Sequence, residues 1–223
     1  MACRTDTLPH FLTDVANAIR TKAGTSGTIQ ASSFDTAIAN IPSGGGGTLE
    51  VPSDVGISFT HSSTSDWSFL SDMDFSSVET FDNMFESCDI DGETMPQIDT
   101  SSATSMDMMF SNCSSMETAP TLNTSNVAYM SYMFDSCSSL TTVPQYDTSS
   151  VESLENMFSG CESLSETSLN NILGMCITVD DEVYSGDKTL TYLGIDTSIY
   201  GPSTIEGLAN YQDFIDAGWA IEE

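Results

Sequence analysis

Apolar residues recur along the middle of this chain with a fixed period. Residues 147–164 hold the cleanest copy: Asp147-Thr148-Ser149-Ser150-Val151, then Leu154, Met157-Phe158, Cys161 and Leu164. The preceding copy has Asn123-Thr124-Ser125-Asn126-Val127, Met130, Met133-Phe134, Cys137, Leu140 and Pro144. Before it stand Asp99-Thr100-Ser101, Ala103, Met106, Met109-Phe110, Cys113, Met116 and Pro120. The earliest copy has Asp74, Ser76, Val78, Phe81, Met84-Phe85, Cys88 and Pro96. The Met-Phe pairs lie 25, 24 and 24 residues apart. The one extra residue falls most simply in Asp91-Gly92-Glu93. A fixed period in the twenties predicts stacked structural repeats and outranks any element-by-element reading.

Within each unit the apolar positions fall at i, i+3, i+6/i+7 and i+10, the spacing of one helical stripe. Asp/Asn-Thr-Ser just before the stripe offers side-chain oxygens to the unpaired N–H groups of a first turn. Ser76-x-x-Glu79 and Ser149-x-x-Glu152 read as capping boxes. After the cysteine comes a short extended piece such as Leu140-Thr141-Thr142-Val143-Pro144, suited to a strand ended by proline. One strand and one short helix per unit predicts an α/β solenoid of 24-residue coils, a parallel sheet with short helices. No unit can bury its apolar face alone, so neighbours must stack.

The phrase Asn-Val-x-x-Met-x-x-Met-Phe-x-x-Cys-x-Ser-Leu-Thr-x-Val-Pro, residues 126–144, resembles the BspA-type leucine-rich repeat. The resemblance covers roughly residues 74–170. It implies a binding role rather than catalysis, since similar repeats occur in bacterial surface adhesins and phage structural proteins. It transfers a fold and no binding site, because the motif residues are core positions.

Around the repeats the pattern changes. Residues 1–43 read as a small helical hairpin, with Leu8, Phe11, Leu12, Val15, Ala18 and Ile19 on one stripe and Phe34, Ile38 and Ile41 on another. The wording from Phe11 to Thr25 is similar to a segment of phage tail and other virion proteins. Residues 44–47 are a glycine linker. The body runs from 48 to 223: an N-terminal cap at 48–73, repeats at 74–164 and a C-terminal cap at 165–223. In that last part Leu169, Ile172, Leu173 and Cys176 mark a helix. Thr189–Ile195 reads as a strand. Ser203-x-x-Glu206 opens a helix carrying Leu208, Tyr211, Phe214 and Ile215, with Gly218 just past its end and Trp219–Ile221 as a short strand.

Charge then narrows the function. The chain holds 33 acids against 4 Lys/Arg. Residues 1–43 balance three acids with three bases, so all of the excess lies beyond them, where Lys188 is the sole Lys or Arg. Such a body repels nucleic acid. It suits colloidal stability, a cationic partner, cation binding, or mimicry of DNA. No stretch approaches 18 consecutive apolar residues, so membrane insertion is not expected. No Sec-type signal is visible at the start, which counts against a conventionally secreted adhesin.

Candidate chemistry is sparse. Cys88, Cys113, Cys137 and Cys161 share one register. Strand-like stacking at about 4.8 Å fits poorly with the Cβ separation a disulfide needs, so a ladder of reduced, buried cysteines is expected. Zinc is not, with no Cys-x-x-Cys and with His10 and His61 far from the ladder. Asp180-Asp181-Glu182 with Asp187 reads as an acidic turn rather than a calcium loop. No catalytic motif occurs, and no cofactor is expected. The stripe of Met84, Met106, Met109, Met130, Met133 and Met157 reads as core rather than a peptide groove.

The candidate binding face is the outward side of the strands, Glu117, Thr118, Thr141, Thr142, Gln145 and Glu166, together with Tyr129 and Tyr132 as outward helix residues. The expectation is a non-enzymatic virion structural or host-recognition protein, made in the host bacterial cytoplasm. It would join other virion proteins through residues 1–43, contact a host surface protein or glycan, and form a homo-oligomer. The rivals are a bacterial cell-surface adhesin of the same repeat family and an acidic DNA-mimic inhibitor.

Overall fold

The computed structural model describes residues 73–221, with Phe59, Trp67, Leu70, Ser71 and the backbone of residues 49–50. The expected hairpin at 1–43, the linker at 44–47 and most of the cap at 48–73 lie outside the described residues. A short strand, β1 (Leu49–Glu50), pairs in parallel with β2 (Met73–Asp74), Leu49 opposite Met73.

From Asp74 to Leu164, residues one period apart lie side by side. Parallel bridges join Thr80 to Ser105, Ser105 to Tyr129 and Tyr129 to Ser153. A second row joins Thr118 to Thr142. Phe85, Phe110, Phe134 and Phe158 stack face to face, with centroids 5.4, 5.6 and 5.8 Å apart and planes within 9°. Phe59 stands before Phe85 at 5.5 Å. It therefore takes the preceding rung, although its surrounding sequence lacks the motif. Trp67 meets both rings edge-on.

The apolar stripe is buried as expected, but the backbone carrying it is not an α-helix. Residues 81–88 form successive, overlapping four-residue turns. Met84, Glu86 and Cys88 donate their N–H groups to Phe81, Asn83 and Phe85 O. The N–H groups in between, from Phe81, Asn83, Phe85 and Ser87, cross to Ser105, Asp107, Met109 and Ser111 O of the next unit at 2.7–2.9 Å. The next unit repeats this, from Met106, Met108, Phe110 and Asn112 to Tyr129, Ser131, Met133 and Asp135. A helix would spend these N–H groups internally and leave neighbours tied by side chains alone. The alternation instead sets every second N–H crosswise. It needs left-handed residues, found at Asn83, Ser87, Met108, Asn112, Tyr132, Ser136 and Asn156 with φ of 52–61° and at Gly160 with φ 71°.

Since no helix starts there, Asp/Asn-Thr-Ser does a different job. The first residue caps a tight turn: Asp74, Asp99, Asn123 and Asp147 accept the N–H two residues on at 2.9–3.2 Å. Hydrogen bonds from the serine hydroxyl, then its N–H, hold the Asp74, Asp99 and Asp147 carboxyls below the usual range. The threonine is buried and reaches across, Thr100 to Asn123 O at 3.0 Å and Thr124 to Asp147 O at 2.8 Å. The fourth residue reaches back: Ser102, Asn126 and Ser150 donate to Ser76, Ser101 and Ser125 O. Neither expected capping box heads a helix.

Past Leu164 true helices appear. α1 (Glu166–Ile177) is capped by Ser165 and buries Leu169, Ile172, Leu173 and Cys176 as expected. α2 (Thr197–Tyr200) is capped by Asp196, α3 is Pro202–Glu206 and α4 is Tyr211–Asp216. Residues 189–195 are not the expected strand. Thr189 makes one parallel bridge to Ala220, and the rest is a turn whose Tyr192 and Leu193 carbonyls accept Asn156 and Phe158 N–H at 2.7 and 2.9 Å. It thus supplies the next rung. Asp196-Thr197-Ser198 repeats the turn signature, with Ser198 N–H and hydroxyl on the Asp196 carboxylate. Ser203-x-x-Glu206 lies inside α3, whose N-cap is Gly201, so that box does not form. Gly218, φ 84°, ends α4 as expected.

Candidate functional site

The cysteine column is spent on structure. Cys88, Cys113, Cys137 and Cys161 are free and buried. Each thiol donates to a phenylalanine carbonyl of the preceding rung: Phe59, Phe85, Phe110 and Phe134 O, at 3.1–3.2 Å. The same carbonyls of Phe85, Phe110 and Phe134 also accept the N–H three residues on. A small apolar residue would leave that second lone pair without a donor, which is why cysteine suits the position. Burial pushes the Cys161 thiol up to about 12 and drives the Cys113, Cys137 and Cys176 thiols upward too. Thiols held protonated this way are inert as nucleophiles.

The eight predicted surface residues fall into two rows. Thr118 and Thr142 bridge each other, and Thr141 donates to Glu117 O through both its N–H and its hydroxyl, at 2.9 and 3.0 Å. Glu117, Thr141 and Thr142 are exposed. Ser165 N–H binds Thr141 O, which brings Glu166, the first residue of α1, beside this row. Gln145 is exposed and lies over Gly174 of α1. A β-carbon at Gly174 would come within 2.8 Å of the Gln145 amide, so the glycine seats that side chain.

Tyr129 and Tyr132 belong to the other row and are not on a helix. Tyr129 sits in the bridge series between Ser105 and Ser153. Its hydroxyl donates to Glu152 at 2.8 Å, while Tyr132 donates to Glu155 at 3.2 Å and accepts from Asn156 at 3.1 Å. The bond to Glu152, with that carboxylate's charge, raises the Tyr129 phenol. Asp82 and Asp107 continue the row. Asp82 accepts Ser105 hydroxyl and Asp107 N–H, and Asp107 accepts Ser131 N–H at 2.7 Å. Half-burial raises the Asp107 carboxyl, its hydrogen bond from Ser131 N–H opposes the shift, and Asp82 adds to it.

Asp91, Ser168 and the acids of the tyrosine row carry roles that sequence reasoning did not assign. Asp91 accepts Glu117 and Thr118 N–H at 2.7 and 3.0 Å, closing the Thr118–Thr142 row at its start. Ser168 closes the far end, taking Val143 N–H at 2.9 Å and donating to Thr141 O at 2.7 Å. Asp91 was marked by the extra residue beside it. Glu152 and Glu155 lie 23 residues after Tyr129 and Tyr132, one short of the period, so aligning the units places each pair on adjacent rungs.

At the acidic turn, Asp180 accepts Glu182 N–H at 2.9 Å, and Lys188 binds Asp181 and Ala217 O. That turn is an internal tie. Among the described residues no group of three His, Cys, Asp or Glu is arranged to hold a metal ion, and no helix is long and apolar enough to cross a membrane. The geometry offers ordered hydroxyls, carboxylates and phenols on a fixed lattice.

No curated protein and no solved structure matches the chain. One family model does, over residues 54–172, in agreement with the BspA-type character of the repeats. The match does not reach residues 1–43, so their likeness to virion proteins has no counterpart in the comparisons. A match spanning more than half of the sequence settles membership: the chain belongs to the DUF285 family, described as Mycoplasma protein of unknown function.

Proposed function

We propose that this is a non-enzymatic BspA-like surface repeat protein whose stacked units of turns form a solenoid displayed for binding. The observation that carries the reading is the pair of outward rows, Thr118–Thr142 and Ser105–Tyr129–Ser153, fixed by unit-to-unit backbone bonds. A surface held this rigidly loses little conformational entropy on binding. The test uses beads coated with the full chain and presented to bacterial cells. Adhesion above that of beads carrying an unrelated, equally acidic protein is expected. Thr118→Ala/Thr142→Ala together, or Tyr129→Ala, should reduce it. Adhesion equal to the acidic control would refute the reading.

The finer reading is a phage virion component, attached to its assembly through residues 1–43 and facing a host surface with its acidic body. Its support is the resemblance of that segment to virion proteins and its balanced charge beside so acidic a body. Deleting residues 1–43 should leave the body folded and abolish its co-purification with particles. Retained co-purification, or an unfolded body, would refute it.

A further inference from the structure

The tyrosine row has features that bear on what kind of ligand binds there. Tyr129 is 42% exposed and Met108 is 39% exposed, whereas the Met, Phe and Cys residues of the inward stripe are buried. Met108 and Tyr132 occupy equivalent left-handed positions on adjacent units, tied by Met108 N–H to Ser131 O at 2.9 Å. The Tyr129 ring is not a loose side chain, because Glu152 holds its hydroxyl at 2.8 Å. Its outer face is therefore presented with a carboxylate at its rim. Beyond residue 43 the only Lys or Arg is Lys188, and it is engaged with Asp181 and Ala217 O. Glu152 on Tyr129, Glu155 on Tyr132 and Asp107 beside Met108 therefore stand in the row without a basic side chain from the described body to neutralise them.

We infer that this ridge docks an extended, arginine-rich segment of a partner protein, a guanidinium lying on Tyr129 and reaching Glu152 while neighbouring side chains cover Met108. A guanidinium is the one protein group that stacks on an aromatic face and forks onto a carboxylate together. The complementary charge speeds encounter and makes it salt-dependent. A neutral glycan would use the ring as well, but it would leave the flanking carboxylates uncompensated. This inference rests on the binding role proposed above and names the ligand class for its tyrosine row.

The experiment titrates the full chain into a fluorescein-labelled nine-residue oligoarginine at physiological ionic strength, read by anisotropy. Saturable binding is expected. Tyr129→Ala should weaken it about two- to fivefold, the range of an exposed cation–π contact. Tyr129→Phe should retain most affinity, and Glu152→Gln should weaken binding. Glu206→Gln, an equal loss of charge on α3, should leave it unchanged. If Tyr129→Ala binds as well as the parent chain, charge alone attracts the peptide and the proposal is overturned. Displacement by neutral oligosaccharides at the same row, or self-association lost in Tyr129→Ala, would overturn it too. If beads still adhere to cells while oligoarginine fails to bind, the ligand class falls and the display reading stands.

Discussion

Replacing Phe134 by alanine tests the stacked core at its centre. The ring is fully buried. It lies between Phe110 at 5.6 Å and Phe158 at 5.8 Å, with Tyr146 stacked beside it at 6.1 Å. Phenylalanine-to-alanine truncation in a core costs about 3–5 kcal/mol, and the spread reflects how far the site collapses. Collapse is restricted here. Phe110 N–H binds Met133 O and Phe134 N–H binds Met157 O, both at 2.9 Å, so the units on either side keep their spacing. Each ring pair adds about 0.5–1.5 kcal/mol beyond area burial. The expected loss is therefore near the upper end, about 4–5 kcal/mol. Urea unfolding followed by circular dichroism measures it. Phe134→Leu keeps most of the volume and loses the ring pairs, and should cost about 1–3 kcal/mol. A loss below about 1 kcal/mol for Phe134→Ala would show that this ring is not packed as described.

Further measurements bear on other contacts. Raised thiols make the fold sensitive to alkali: the unfolded chain ionises above about pH 8.5 while Cys113, Cys137, Cys161 and Cys176 stay protonated in the fold, so stability falls as pH rises towards their folded values. Between pH 8.5 and 9.5 each thiol should cost about 1 kcal/mol, and an unfolding free energy flat across that interval would refute the burial. Thiol reagent should label Cys88, Cys113, Cys137 and Cys161 only after denaturation, and a disulfide among them in mass spectrometry would break the thiol–carbonyl ladder. Gly92→Ala places a β-carbon 2.4–2.6 Å from the backbone of Thr118, Ala119 and Pro120; thermal melts should show a loss of about 1–3 kcal/mol, and an unchanged midpoint would contradict that approach. Asp91→Ala removes the acceptor of Glu117 and Thr118 N–H and should cost about 1–2 kcal/mol, with amide exchange at those two positions accelerated.

The period, the inward residues and the cysteine register were legible in the sequence because they are side-chain facts, and side chains one period apart meet directly. The backbone of the stripe was not legible. A spacing of i, i+3, i+6/i+7 and i+10 is met by a helix and equally by overlapping turns closed every third residue. The residue types held a clue: Asn83, Ser87, Asn112, Ser136, Asn156 and Gly160 stand where the turns need positive φ, and asparagine and glycine tolerate it best. Met108 and Tyr132 at equivalent positions obscured it. Of the surface, the Thr118–Thr142 row was read as extended and is bridged. Tyr129 is outward and Tyr132 half-exposed, neither on the helix expected, and their glutamate partners lie on the next unit, where single-unit reading cannot look. The end devices, Asp91 and Ser168, each occur once, so a repeat pattern carries no trace of them.

The crosswise thiol bonds make length a quantised property of this molecule. A cysteine is satisfied by the phenylalanine of the unit before it, and a buried threonine by the carbonyl of the unit after it. No unit completes itself, yet the junctions on either side of the 123–146 unit are of the same kind. Removing residues 123–146 as a block would bring Asp147 into the place of Asn123, with Cys161 over the Phe110 carbonyl, and restore each junction. Removing ten residues would restore none. Duplication or loss of whole units lets such a body grow or shrink while both terminators, Asp91 and Ser168, stay in place. The length of the outward surface can thus change in steps of one rung without redesign of its core.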